Sequence, residues 1–181
     1  MTILDDIFLK RKKDIEALSK LEPIDLFENI LVDLEKDDSF STAFKNKTEI
    51  NIISEIKKAS PSKGIIRENF RPICLARDLE NSGAKAISVL VEPRFFYGSE
   101  VYIRAVKRFV NIPVLYKDFI STRYEIARAK VLGASIVLLI VKLLGEKNLK
   151  ELLKVCEEYG IEALVETHSI DEINIALQAG A

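Results

Sequence analysis

Ile52-Ile53-Ser54-Glu55-Ile56-Lys57-Lys58-Ala59-Ser60-Pro61-Ser62-Lys63-Gly64 begins as an apolar strand and closes as a turn rich in hydrogen-bond donors. Side chains alternate between the two faces of a strand, so Glu55 and Lys57 point one way while Ile52, Ser54 and Ile56 point the other. A buried parallel strand normally reads as a nearly unbroken apolar run. Two opposite charges on one face near its C-terminal end are costly there unless they pair or meet a ligand. With Ser-Pro-Ser-Lys-Gly following directly, the stretch reads as a site at the end of a barrel strand.

Outward from this run the chain alternates strand and helix with short connections. The patterns predict strands over 52–58, 86–92, 113–119, 135–143 and 162–168, and helices over 72–82, 99–110, 122–132, 146–159 and 170–179. Gly83, Gly133, Gly160 and Gly180 stand where left-handed helix caps are wanted. The run helix-Gly-Ala-strand occurs at Gly83-Ala84 and Gly133-Ala134 and starts again at Gly180-Ala181. Such β/α repeats, at a spacing of roughly 25 to 30 residues, imply a parallel sheet with helices outside it. Right-handed crossovers put all the strand C-termini at one rim. Residues 1–51 lack this rhythm; 3–18 and 23–34 carry helical spacing and read as an extension preceding the barrel. The expected fold is α/β, of the (β/α)8 TIM-barrel type. It is a single domain over 1–181, with a helical extension at 1–51 and five β/α units at 52–181.

With 181 residues and 48% hydrophobic content the chain can bury one substantial core. A net charge of −1 gives no electrostatic basis for bulk nucleic-acid binding. The apolar stretch from Ser135 to Leu144 is interrupted by Lys142 and is too short to span a bilayer. No apolar signal segment opens the sequence, so a cytoplasmic location is expected. Cys74 and Cys156 lack ligand spacing and read as reduced structural thiols.

Polar residues recur at the predicted strand ends: Glu55 and Lys57 with Ser60, then Glu92, Lys117, Lys142, and Glu166 with His168. Convergence of both charge signs at one rim is the functional signal. Each group also has a structural reading: the lysines can reach solvent along their stems, and the glutamates can be their ion-pair partners. Lys142 fits a solvated or ion-paired role, and His168 and Asp118 fit structural hydrogen bonding.

The motifs Ile52 to Gly64, Ala86 to Glu92 with Phe95-Phe96-Tyr97-Gly98-Ser99, Pro113 to Phe119, Leu138 to Val141 and Leu164 to His168 together resemble the indole-3-glycerol phosphate synthase family. Ser54, where Ala is common, and Val91, where Thr is usual, depart from its pattern. The resemblance implies a carboxy-lyase of tryptophan biosynthesis. Its reaction closes the ring of 1-(2-carboxyphenylamino)-1-deoxyribulose 5-phosphate, a phosphosugar–anthranilate compound, with loss of CO2 and water and with no cofactor or metal. It also implies roles. Lys117 is the general acid, and Lys57 the partner of the substrate carboxylate and a proton donor in dehydration. Glu55 and Glu166 are the matching carboxylates, their division of labour left open. Ser60 and Pro61 belong to the substrate loop, and Phe96, Phe119 and Leu138 to the pocket for the aromatic ring. The family's phosphate-binding units have no counterpart in these residues. The competing expectation is therefore an inactive half-barrel with at most weak phosphosugar binding. Five units cannot close an eight-stranded barrel. The polypeptide 1–181 is accordingly expected to be inactive alone and to associate through open sheet edges at its first and fifth strands.

Overall fold

The computed structural model describes every residue except Met1, Asp38 and Lys47. It packs as two compact units, one of Met1–Lys36, Phe119–Val131 and Val137–Ala181, the other of Asp37–Asp118 and Leu132–Ile136.

In the second of these, β1 (Ile53–Ile56), β4 (Ala86–Leu90) and β5 (Val114–Lys117) are parallel neighbours, with α4 (Pro72–Asn81) and α5 (Glu100–Lys107) as crossovers. All five residues of β4 are buried, which suits its apolar run. Ile87 and Val89 are 0% exposed, and each such side chain contributes about 1.5–3 kcal/mol of transfer free energy. Glu55 stands in register with Ser88 and Ser88 with Leu115, while Leu90 is in register with Lys117. Gly83 and Gly133 have φ of 95° and 92°, as expected of left-handed caps.

The Ser-Pro-Ser-Lys-Gly stretch is more ordered than a simple turn. It is the tip of a small hairpin in which β2 (Ala59–Ser60) pairs antiparallel with β3 (Gly64–Ile65). Gly64 makes the return possible at φ 62°. The hairpin is anchored at its base, where Lys58 O accepts from Ile66 N at 2.8 Å and Ala59 N donates to Phe96 O at 3.2 Å. A short helix, α3 (Ser39–Ala43), lies within the region read from sequence as helical extension.

The other unit contains α1 (Ile3–Leu21), α2 (Asp25–Leu31), α6 (Arg123–Val131), α7 (Val141–Glu158), β7 (Glu162–Glu166) and α8 (Ile170–Ala179), with most of β6 (Ile136–Ile140), the neighbour of β7. Thr2 and Asp5 form a reciprocal capping box at the start of α1. Glu28 of α2 accepts from Arg123 at 3.0 Å and from the Tyr159 hydroxyl at 2.5 Å, tying α2 to α6 and to the end of α7. Lys130 donates to the carbonyls of Glu35 and Gly160, each at 2.8 Å.

The fourth predicted strand is too long. It stops at Ile140, and Val141 to Leu144 already form a helical turn that buries Val141 and Leu144 three apart and exposes Lys142. Gly145, at φ 66° and ψ 173°, breaks that turn from the main body of α7, which is why the apolar spacing suggested a start at 146. Lys142 is thus a helix residue and not a strand-end charge. Among the described residues β1 has one strand neighbour, β4, and β7 one, β6. No helix of the described residues is long and apolar enough to cross a membrane.

Candidate functional site

Glu55 is the hub. Lys57, two residues on along the same strand face, donates to Glu55 Oε1 at 2.5 Å, and Lys117 at the end of β5 donates to Oε2 at 2.6 Å. The three side chains are 26%, 34% and 34% exposed respectively, half-sheltered but reachable. Adjacent strands are about 4.8 Å apart, so β1 and β5 are separated by roughly 10 Å across β4. The Lys117 and Glu55 side chains therefore meet over β4. Burial pulls the Glu55 carboxyl upward, but the hydrogen bonds and charges of Lys117 and Lys57 outweigh it and hold the group below its ordinary 4.5. Each ammonium keeps further N–H donors for a ligand. Such an arrangement can bind a carboxylate and protonate a carbonyl or hydroxyl oxygen beside it.

A cavity of about 500 Å³ borders Glu55 and Lys57 and is lined also by Arg67 and Asp78 and by the apolar Ile66, Leu75 and Leu79. The other unit holds one of about 490 Å³ among Glu28, Arg123, Glu158 and Tyr159. Volume does not single out a site; the carboxylate held between two lysines does. In the second cavity Tyr159 has its hydroxyl pushed up to about 12, mainly by burial and then by the bond to Glu28.

Ser60 is half-buried in β2 and Pro61 exposed at the hairpin tip. Phe96 is half-buried and linked through its carbonyl to Ala59, so the hairpin and the aromatic loop after β4 are joined. Phe119 (7% exposed) and Leu138 (4%) are buried in the other unit, which also carries Glu166 at the end of β7. Among the described residues Glu166 meets His168, with Oε1 at 3.4 Å from Nε2. His168 is held in turn by Glu172, which accepts from its backbone N at 2.7 Å, because Ser169 caps α8 and brings Glu172 back over the strand end.

Glu92 departs from the sequence reading. It does not join the lysines; it is 1% exposed and accepts from the backbone N–H groups of Arg94 (2.9 Å), Phe95 (2.6 Å) and Phe96 (3.1 Å). Its carboxylate shapes the aromatic loop. Gly98 completes that loop by lying against β4, where a Cβ would stand 2.4 Å from Leu90 O. Sequence reasoning also passed over Ser88, a buried hydroxyl, 3% exposed, whose Oγ finds no protein partner. The available signal was a lone polar residue inside the apolar run Ala86 to Leu90.

The indole-3-glycerol phosphate synthase family model matches residues 4–181. Among curated relatives, an indole-3-glycerol phosphate synthase of Campylobacter jejuni is 44% identical over 181 residues, covering 99% of this chain and 70% of the relative. The one from Lachnoclostridium phytofermentans is 49% identical over 148 residues, 82% of this chain and 55% of the relative. That of Carboxydothermus hydrogenoformans is 53% identical over 135 residues, 75% and 51%. The matches thus span between about half and 70% of those relatives' lengths. With the family model running almost end to end, this chain belongs to the indole-3-glycerol phosphate synthase family.

Proposed function

We propose that this chain supplies the lysine–carboxylate half of an indole-3-glycerol phosphate synthase site. That site closes the ring of 1-(2-carboxyphenylamino)-1-deoxyribulose 5-phosphate and releases CO2 and water. The observation that carries the reading is the Glu55 carboxylate held between Lys57 and Lys117. Bond formation between the anilino ring and the sugar carbonyl drives negative charge onto the carbonyl oxygen, and Lys117 protonates it. Lys57 pairs with the anthranilate carboxylate and later donates a proton as the hydroxyl leaves as water. Glu55 and Glu166 supply the base and the balancing negative charge. Ser60 and Pro61 form the substrate loop, and Phe96, Phe119 and Leu138 receive the aromatic ring. The barrel domain is one unit of function, cytoplasmic, with 1–51 as its helical extension.

Lys117→Ala tests this reading. Turnover should fall by about a hundredfold or more, with substrate saturation still reached and the unfolding midpoint little changed. An unchanged turnover at saturation would remove Lys117 from the chemistry. A second reading, an inactive half-barrel with weak phosphosugar binding, is favoured by one observation: β1 and β7 each have a single strand neighbour among the described residues. Unpaired strand edges of this kind promote association. Formation of indole-3-glycerol phosphate by a monomeric polypeptide 1–181 would rule that reading out.

A further inference from the structure

The Lys117–Glu55 ion pair bridges two strands that are not neighbours, and the strand between them contributes Ser88. Ser88 is in register with Glu55 on one side and with Leu115 on the other, so its side chain shares their face. It belongs to the strand that the Lys117–Glu55 pair spans, one register step from Glu55. Its Oγ is fully covered and has no protein partner, although a buried hydroxyl normally finds one. Both Glu55 oxygens are turned to ammonium groups. A buried hydroxyl without a protein partner therefore stands in register with a carboxylate whose partners are the tips of two lysine side chains.

We propose that Ser88 is a positioning residue for Glu55, donating its hydroxyl hydrogen to the Glu55 carboxylate when a bound substrate draws Lys57 or Lys117 away. The inference rests on the lysine–carboxylate reading of the site given above. In the structure the two lysines hold Glu55 in place and favour its ionised form. Once an ammonium turns to the substrate's carboxylate or carbonyl oxygen, a half-buried carboxylate loses a charged donor. A neutral O–H from the strand beneath replaces it, keeping Glu55 ionised and pointed at the rim. The charged groups around Glu55 are Lys57 from its own strand, Lys117 from β5, and Arg67 and Asp78 across the cavity from the β3 side and from α4. None of them sits on β4, the strand that Ser88 occupies.

The two ligation states separate this role from a merely structural one. The acid limb of kcat/KM reports the free enzyme and that of kcat the substrate complex. In Ser88→Ala the kcat acid limb should move up by about one pH unit while the kcat/KM limb stays put. Ser88→Thr, which keeps the hydroxyl, should restore it. Independently of turnover, a 13C-labelled Glu55 carboxyl should titrate alike in parent and Ser88→Ala when free. It should titrate about one unit higher in Ser88→Ala when an N-substituted anthranilate carrying a phosphorylated polyol is bound. Limbs that move together, or not at all, and identical bound-state titrations would overturn the role of Ser88. If the parent protein neither turns over the carboxyphenylamino substrate nor binds the analogue, the functional reading falls, and this inference with it.

Discussion

Glu92 and Glu55 are both glutamates at strand ends in the same unit, and both hold their places through donors at 2.5–3.1 Å. They differ in what donates. Glu92 is satisfied by three backbone amides of the loop that follows it, groups fixed by the chain and unable to leave. Glu55 is satisfied by the tips of two lysine side chains reaching it along four-carbon stems, one of them from two strands away. The first carboxylate is 1% exposed and is spent on architecture. The second keeps 26% of its side chain accessible, and a ligand can compete for its partners. A charge at a strand end is thus marked as chemical less by its position than by the freedom of the groups that neutralise it.

Mutation sharpens the contrast. The largest effect is expected at the architectural carboxylate. Glu92→Ala removes a charged acceptor from three part-buried amides and should cost about 3 kcal/mol or more in denaturant unfolding. A cost below about 1 kcal/mol would mean that the loop holds without it, and the comparison would fail. Gly98→Ala attacks the same loop from its other end by forcing a Cβ against Leu90 O, and should destabilise by about 1–3 kcal/mol. On the chemical side, Lys57→Ala should raise KM about tenfold by removing a charge-assisted carboxylate contact, with unfolding almost unaffected. A variant that changes only thermal stability would make Lys57 a second architectural residue. The smallest effect is a pH slope. Because the folded Glu55 carboxyl lies below 4.5, its stabilisation is complete above that pH and is lost as pH falls through the lowered folded value. Glu55→Gln should lower the unfolding free energy by a constant amount above pH 4.5 and flatten its dependence on pH below, which acid titration of the two proteins would reveal.

Much of the fold was legible because its determinants are local. Apolar runs, glycine caps at 83, 133, 160 and 180 and the spacing of helices and strands are properties of neighbouring residues, and α8 lies at 170–179 as the pattern required. The misreadings arose where a local pattern has two solutions. Ser135 to Leu143 is apolar enough for a strand throughout, and only packing, which buries Val141 and Leu144 on one side, turns its last residues into helix. The donor-rich turn concealed a hairpin because two-residue strands leave no periodicity.

The site divides in the same way. That Glu55 and Lys57 share a face follows from sequence alone, since alternation along one strand fixes it. That Lys117 completes the pair, that Glu92 turns instead onto its own loop, that Glu166 meets His168, and that Ser88 stands in register with Glu55 were decided by tertiary structure. Glu55 and Lys117 are sixty-two positions apart, and nothing local signals their contact. Strand register sets that contact, and register is fixed only when the core packs.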